Sequence, residues 1–253
     1  MSALLQRRWI RQALALTALV LLWELLSRAG VIDPFYMPPP SKVAVTLYQL
    51  FAGGEIWKHI AATFTAALLG LVGGLLIGAL LGFGAAMIPP IADLLEPVMI
   101  LLNAIPRVIL APLFIIWFGI GIGSKVALSL VLVAVLVFFS VYSGIREVDT
   151  RLVERVRTLG GGRSTLLREV YLPSVTAWVM GSLKVAVGFA FTGAVVGEFV
   201  ASSRGLGYLL SFAQSTYNAA QTLALIFIIM GFVLLLFTLA GRLERWLLHW
   251  RYA

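Results

Sequence analysis

The chain alternates between long apolar runs and shorter polar segments. A helix needs about 20 predominantly apolar residues to cross the hydrocarbon core of a bilayer. The predicted spans are residues 12–26, 63–87, 94–118, 126–143, 178–200 and 223–240. Pro106 and Pro112 interrupt the third span, because proline cannot continue a regular helix. The pattern predicts an all-α polytopic membrane protein with about six transmembrane helices, in a single domain covering residues 1–253.

The start of the first run has two interpretations. Arg7, Arg8 and Arg11 precede it, and a basic segment before an apolar run is also typical of a signal peptide. Trp23 and Glu24 stand where a cleavage site would need small residues. We therefore interpret the run as a retained span whose N-terminus lies inside.

Two shorter patterns make local predictions. After the prolines at residues 38–40, Ser41 is expected to cap a short helix. In the second span, glycine recurs every four residues, at Gly70, Gly74, Gly78 and Gly82. Such a stripe lets another helix approach closely in lipid. Close helix packing is the favoured interpretation, and lining of a substrate passage is the alternative.

Composition agrees with membrane residence and excludes several kinds of site. The chain is 61% hydrophobic and 12% charged, whereas soluble domains are about 45–50% apolar and about 25% charged. The absence of cysteine excludes disulfides and thiol chemistry. His59 and His249 have no ligand-like neighbour one helical turn away, so we expect neither a metal site nor a cofactor.

The net charge of +8 indicates orientation rather than nucleic-acid binding. Cytoplasmic segments of membrane proteins are enriched in Lys and Arg. With both termini inside, the inner segments hold twelve such residues: Arg7, Arg8, Arg11, Arg146, Arg151, Arg155, Arg157, Arg163, Arg168, Arg242, Arg245 and Arg251. The outer segments hold five: Arg28, Lys42, Lys58, Lys125 and Arg204. Both termini are therefore predicted to be cytoplasmic.

The polar segment at residues 145–176 is predicted to face the cytoplasm as two short helices around a break at residues 160–162. Apolar side chains share one face of the first helix: Leu152, Val156 and Leu159. Glycine tolerates the left-handed backbone conformation that a sharp turn needs. Ser164 is expected to cap the second helix and Pro173 to end it. Such an elbow is suited to docking into a cleft on a soluble partner.

The spacing in this segment resembles the EAA loop of ABC importer permeases, which reads Glu-Ala-Ala, three residues, Gly, nine residues, Ile-x-Leu-Pro. The matching positions are Glu154, Gly160, Val170, Leu172 and Pro173, with Arg155 and Val156 in place of the two alanines. Stretches at residues 37–43, 103–113, 117–121 and 197–208 look like the nitrate/sulfonate/taurine/bicarbonate branch of these permeases. The resemblance extends from about residue 20 to residue 240.

The resemblance implies a type I ABC importer permease fold in a bacterial inner membrane. Its implied partners are two copies of a cytoplasmic ATP-binding subunit, an extracytoplasmic substrate-binding protein and a second, identical permease chain in the lipid bilayer. The residues implied to couple to the ATPase are Glu154, Arg155, Val156, Gly160, Leu172 and Pro173. The permease itself is expected to carry out no catalysis, because ATP hydrolysis belongs to the partner. The implied substrate is a small anion such as a sulfonate, nitrate or carboxylate, and a neutral or heterocyclic vitamin precursor is the alternative.

Polar residues inside the third span are candidates for the translocation pathway. Asn103, Pro106 and Arg107 lie there, and an intramembrane charge is costly and usually faces a polar cavity or a partner. Two interpretations of Arg107 stay open. Its side chain either borders the pathway and favours an anion, or stays near the inner surface and pairs with Glu96 or Asp93.

The fifth span carries two further charged residues. Glu198, near its outer end, is a further pathway candidate. It holds the outer gate, contacts the binding protein or forms an ion pair with Arg204. Lys184 is expected to extend its amine toward the inner surface.

Two other classes of membrane protein fit the sequence less well. An ion-gradient-driven secondary transporter would need an inverted repeat and carboxylates near mid-membrane, but the acidic residues cluster at span ends. An intramembrane enzyme would need a nucleophile and base or paired metal ligands, which two isolated histidines do not supply.

Overall fold

The computed structural model describes residues 8–247, apart from the side chains of residues 8, 107 and 247. Every regular element in that range is helical: α1 (Arg8–Arg28), α2 (Pro40–Ala52), α3 (Ile56–Met87), α4 (Pro89–Ala104), α5 (Arg107–Phe118), α6 (Ile122–Arg146), α7 (Thr150–Thr158), α8 (Arg163–Leu166), a π-helical turn (Leu167–Tyr171), α9 (Leu172–Val200), α10 (Leu206–Ser215) and α11 (Ala219–Leu247). The predicted all-α fold is confirmed. Arg7, His249 and Arg251, used in the sequence interpretation, lie outside the described residues.

Within the described range, five helices or continuous helical runs are long and apolar enough to span a membrane: Trp9–Arg28, Ile56–Met87, Ile122–Arg146, Arg163–Val200 and Ala219–Trp246. α4 and α5 are a sixth candidate, with a bend of 110° at the break between them.

Helix directions decide how the bent pair is placed. α3 and α6 run parallel, because Gly70 packs on Ser129 and Gly82 packs on Phe138 further along both helices. The C-terminal end of α3 and the N-terminal end of α6 therefore lie at opposite ends of the bundle. α4 and α5 connect these two ends, so the pair crosses the bundle. The expectation of about six spans is confirmed, with the third span broken at residues 105–106. The predicted interruption at Pro112 is wrong, because Pro112 lies inside α5, which continues to Phe118.

The glycine stripe of the second span packs against α6. A Cβ atom on Gly74 would lie 2.5 Å from the Cβ of Val133, and one on Gly82 would lie 2.7 Å from the carbonyl oxygen of Phe138. Neither distance leaves room for a methyl group, so the two backbones are in direct contact. The interpretation of the stripe as a helix-packing surface is confirmed.

The corner between α1 and α2 differs from the expectation. Ser41 does not cap α2, because the helix begins one residue earlier at Pro40 and Pro39 occupies the capping position without a side-chain bond. Instead the carboxylate of Glu24 accepts hydrogen bonds from the backbone N–H of Ser41 at 2.9 Å and from its hydroxyl at 2.7 Å. A carboxylate is favoured at the positive end of a helix, so α1 supplies the cap of α2.

The start of the fifth span also differs from the expectation. Ser164 is not a cap, since α8 begins at Arg163 after Gly162. Pro173 does not end the helix either, because helix runs without interruption from Arg163 to Val200. The π-helical turn ends at Tyr171, two residues before Pro173, and is wider than an α-helical turn. This width accommodates a proline ring that would otherwise clash with the preceding turn.

Candidate functional site

α7 is a short helix with a defined cap at each end. The Asp149 side chain accepts a hydrogen bond from the backbone N–H two residues later at 2.9 Å. At the other end Gly160 has φ +81°, and its N–H bonds to the carbonyl of Arg157 at 2.9 Å. The N–H of Gly161 bonds to the carbonyl of Val156 at 2.9 Å, which completes a Schellman motif. The predicted glycine break is confirmed. We call the end of the bundle that carries α7 the inner end.

The apolar face of α7 is largely uncovered. Leu159 is 81% exposed and Leu152 is 50% exposed, while Val156 is half-buried. Glu154 and Arg155 are exposed beside them, and no residue of α7 is buried. A helix that is capped at both ends but packs little of its apolar face against its own chain has the form of a docking element.

The second arm of the elbow belongs to the fifth span. Leu172 and Pro173 are exposed near the start of α9, whereas Leu166 and Val170 are buried against the bundle. The helix continues from these residues to the opposite end of the molecule. The structure thus places all six sequence-predicted coupling residues on one elbow, whose second arm is rigidly continuous with a membrane span.

A cavity of about 600 Å³ lies between α6 and α9 at the inner end. Leu152 of α7 lines this cavity together with Ser140, Gly144 and Trp178. A Cβ atom at Gly144 would overlap the indole of Trp178, so this glycine lets the tryptophan pack directly against α6. The cavity connects the elbow directly to the helices that cross the bundle.

The break in the third span exposes two of the predicted pathway residues. Asn103 is exposed near the end of α4, and Pro106 is exposed in the break. The side chain of Arg107 lies outside the described residues, and its two interpretations stay predictions. Glu96, one of the partners considered for it, accepts a hydrogen bond at 3.0 Å from Tyr142 of α6.

Glu198 is the most buried of the predicted site residues, with 2% exposure. Its carboxylate accepts hydrogen bonds from the hydroxyl of Thr63 at 2.8 Å and from the N–H of Gly207 at 3.0 Å. The alternative of an ion pair with Arg204 is wrong, because that side chain is exposed and forms no salt bridge with Glu198. Burial excludes Glu198 from direct contact with a large external partner.

A cavity of about 250 Å³ adjoins this carboxylate at the outer end of the bundle. Lys125, Glu198 and Arg204 line it together with small residues. Lys125 is 3% exposed and was predicted only as an outer basic residue. Neither Asn103 nor Pro106 lines this cavity, so the cavity does not bring either of them together with Glu198.

The sequence did not identify Thr63 or Lys125 as residues of a site, and it did not identify the partner of Lys184. The amine of Lys184 lies 3.0 Å from Glu244 Oε2 and joins α9 to α11 near the inner end. No local signal identifies these pairs, since their members are far apart in the chain. A polar residue inside a predicted span, or at its edge as with Lys125, was the one available clue.

Comparison with known proteins agrees with this architecture. The family model described as "Binding-protein-dependent transport system inner membrane component" matches residues 74–249. The riboflavin transport system permease protein of Chloroflexus aurantiacus is 34% identical, over 97% of this chain and 93% of the relative. The taurine transport system permease protein of Escherichia coli is 28% identical, over 93% and 87% of the two chains.

The fold has a solved counterpart as well. A crystal structure of an amino acid ABC transporter aligns with a TM-score of 0.62 and 19% identity, over 79% of this chain and 97% of that chain. The family match covers more than half of the sequence and includes the whole elbow from Thr150 to Pro173. The chain therefore belongs to the family of inner membrane components of binding-protein-dependent transport systems.

Proposed function

We propose that this chain is the permease subunit of an ATP-driven importer and that ATP hydrolysis takes place on a separate subunit. Two identical copies would form the passage, each bound to one cytoplasmic ATPase, and an extracytoplasmic binding protein would deliver the solute. The observation that carries the proposal is the uncovered apolar face of α7, held on a helix with a cap at both ends. Family membership supports the same assignment.

The inner end of the bundle would face the cytoplasm. Six arginines lie between Arg146 and Arg168, at the same end as the C-terminal end of α11. Cytoplasmic segments favour such an excess of positive charge. This orientation would place both termini in the cytoplasm of a bacterial cell and α7 within reach of a soluble ATPase.

Coupling would work through the continuity of the elbow. Leu152, Val156 and Leu159 would enter an apolar groove on the ATPase, with Glu154 and Arg155 at its rim. Gly160 would fix the angle between the two arms. Since Leu172 and Pro173 belong to the same helical run as the fifth span, movement of the ATPase would be transmitted into the bundle without a flexible joint.

We further propose a small organic anion as the solute. Lys125 and Arg204 give the outer cavity two positive charges against the single carboxylate of Glu198. An excess of positive charge in a cleft concentrates anions. The second candidate is a heterocyclic compound, which the 34% identity with a riboflavin permease favours. Uptake of labelled taurine and of labelled riboflavin separates the two candidates.

Co-purification tests the main proposal. The tagged chain is expressed with a candidate ATPase and a candidate binding protein from the same organism. We expect the ATPase to co-elute in equal amount, and we expect proteoliposomes containing the complex to accumulate one of the two probes only when ATP is supplied. A hydrolysis-deficient ATPase should bind as well as the wild-type subunit but support no uptake. Uptake driven by an ion gradient without the ATPase would contradict the proposal.

Arg107 provides a test of the pathway. It follows the break in the third span, where we propose that Asn103, Pro106 and Arg107 border the passage. Arg107→Ala is expected to lower anion uptake at least about tenfold, as loss of a charged hydrogen bond of about 1.5–3 kcal/mol would. Uptake must be divided by membrane abundance measured in the same vesicles. Unchanged uptake per copy would contradict a role in the pathway.

A further inference from the structure

The N-terminus of α10 is held by side chains from two other helices. The N–H of Gly205 donates to His59 Nδ1 at 3.1 Å, that of Leu206 to Thr63 Oγ1 at 2.9 Å, and that of Gly207 to Glu198 Oε2 at 3.0 Å. The first N–H groups of a helix have no partner inside that helix. Here consecutive N–H groups are each bonded to α3 or α9.

Lys125 binds the other end of the connection between α9 and α10. Its amine donates to the carbonyl of Ala201, directly after α9, at 2.9 Å and also to the carbonyl of Ile120. The C-terminal end of a helix is negative and the N-terminal end is positive. Lys125 is therefore placed on the negative end of α9, and Glu198 on the positive end of α10.

These four side chains and the backbone between them form one unit. We name it the outer clasp: His59, Thr63, Lys125 and Glu198 with the backbone of residues 201–207. Two of its charged groups are almost completely buried, which is costly unless hydrogen bonds compensate. The clasp joins the outer ends of α3, α6 and α9 to α10.

The backbone at this point leaves no space for adjustment. A Cβ atom on Gly205 would overlap the carboxylate of Glu198, and one on Gly207 would overlap the carbonyl oxygen of Val195. Gly205 also has φ +114°, which side chains rarely adopt. Behind the clasp, Leu206 is fully buried in the apolar core shared by α3, α9 and α11. α10 is thus fixed by polar contacts at its start and by apolar contacts beneath.

We propose that the outer clasp makes α10 and the outer ends of α3, α6 and α9 move as a single unit during transport, and that Thr63, Lys125 and Glu198 are positioning residues. This inference rests on the proposed function, because a transport cycle is what requires the outer helices to move together. Loss of the Thr63 hydroxyl, which bonds both Glu198 and the N–H of Leu206, would loosen the start of α10 from α3 and α9. The binding protein would then dock on an outer face that no longer moves together with the spans joined to the elbow.

The test compares two identical substitutions on one helix. Thr63→Val removes the hydroxyl that bonds Glu198 and the N–H of Leu206. Thr65→Val is the control, since the Thr65 hydroxyl is exposed and bonds only the carbonyl of Ala61 in its own helix. Both variants are examined in the full complex of permease, ATPase and binding protein. The binding protein is loaded with the probe, taurine or riboflavin, that the wild-type complex imports.

For Thr63→Val we expect uptake per copy to fall about tenfold, as loss of a buried hydrogen bond implies. The stimulation of ATP hydrolysis by loaded binding protein should fall with it, while basal hydrolysis persists. Thr63→Ser, which keeps the hydroxyl, should restore both. If Thr63→Val only destabilised the permease, its abundance would fall, and basal and stimulated ATP hydrolysis by the complex would fall in parallel.

Hydrogen exchange gives a readout that is independent of transport. Thr63→Val should raise exchange at residues 205–215 and leave the peptide from α11 unchanged. Unchanged exchange would overturn the clasp, and increased exchange with wild-type uptake and stimulation would overturn its role in positioning. A wild-type complex that shows no ATP-driven uptake would contradict the proposed function instead, and the exchange comparison would still test the clasp.

Discussion

Replacing Gly78 with alanine will push α3 away from α6 and lower the stability of the whole bundle. The new Cβ atom would lie 2.5 Å from the carbonyl oxygen of Ala134 and 2.9 Å from the Cβ of Val137. Both atoms are fixed to the backbone, so no side-chain rotation can relieve the overlap. Overpacking of this kind costs about 1–3 kcal/mol. We expect a lower melting temperature in detergent and a lower abundance in the membrane.

Gly84→Ala is the matched control, because Gly84 lies on the same helix and no atom lies within 4 Å of the position that its new methyl group would occupy. Alanine is favoured over glycine in a helix by about 1 kcal/mol, so the melting temperature of this variant should stay level or rise. Equal losses for Gly78→Ala and Gly84→Ala would show that glycine at these positions serves flexibility and that the α3–α6 contact is not the cause.

This helix contact was predictable because its signal is local and periodic. Four glycines at four-residue intervals fall on one face of a helix, and in lipid close approach is the main use of such a face. The same holds for the elbow, where Gly160 was expected to end the first helix and does so with φ +81°. Both predictions needed only the spacing of residues within a single segment.

The errors arose where a distant residue overrides a local rule. Ser164 is an exception, since the nearby Gly162 takes the capping position and the helix begins at Arg163. Ser41 was expected to cap a helix because serine favours that position, but Glu24 of another helix supplies that cap. The outer clasp was missed for the same reason. Thr63 and Glu198 are separated by 135 positions in the chain, and no period or spacing connects them.

The broken third span is an intermediate case. Pro106 predicted an interruption, and the helix does end at Ala104 and begin again at Arg107. The 110° bend was not predictable, because proline removes a hydrogen bond but does not set the direction of the next helix. That direction depends on the packing of Leu110 and Phe114 against Leu128 of α6.

Leu159→Asp is expected to separate the permease from its ATPase without damaging the permease itself. Leu159 is 81% exposed, and substitution of an exposed residue usually changes folding stability by less than about 0.5 kcal/mol. A charge placed in an apolar interface costs far more, and central contact residues contribute about 2 kcal/mol or more. ATPase recovery should therefore fall roughly thirtyfold in co-purification, and ATP-driven uptake should fall with it.

Thr158→Asp supplies the control for charge. It adds the same carboxylate one residue away, on an exposed position about 100° around the helix from Leu159, and should retain the ATPase. If both variants lost the ATPase, added negative charge rather than the apolar face would be the cause. If neither lost it while ATP-driven uptake continued, α7 would not be the docking element. Selective loss with Leu159→Asp assigns coupling to the apolar face, because both variants add the same carboxylate but only Leu159→Asp places it on that face and removes an apolar side chain from it.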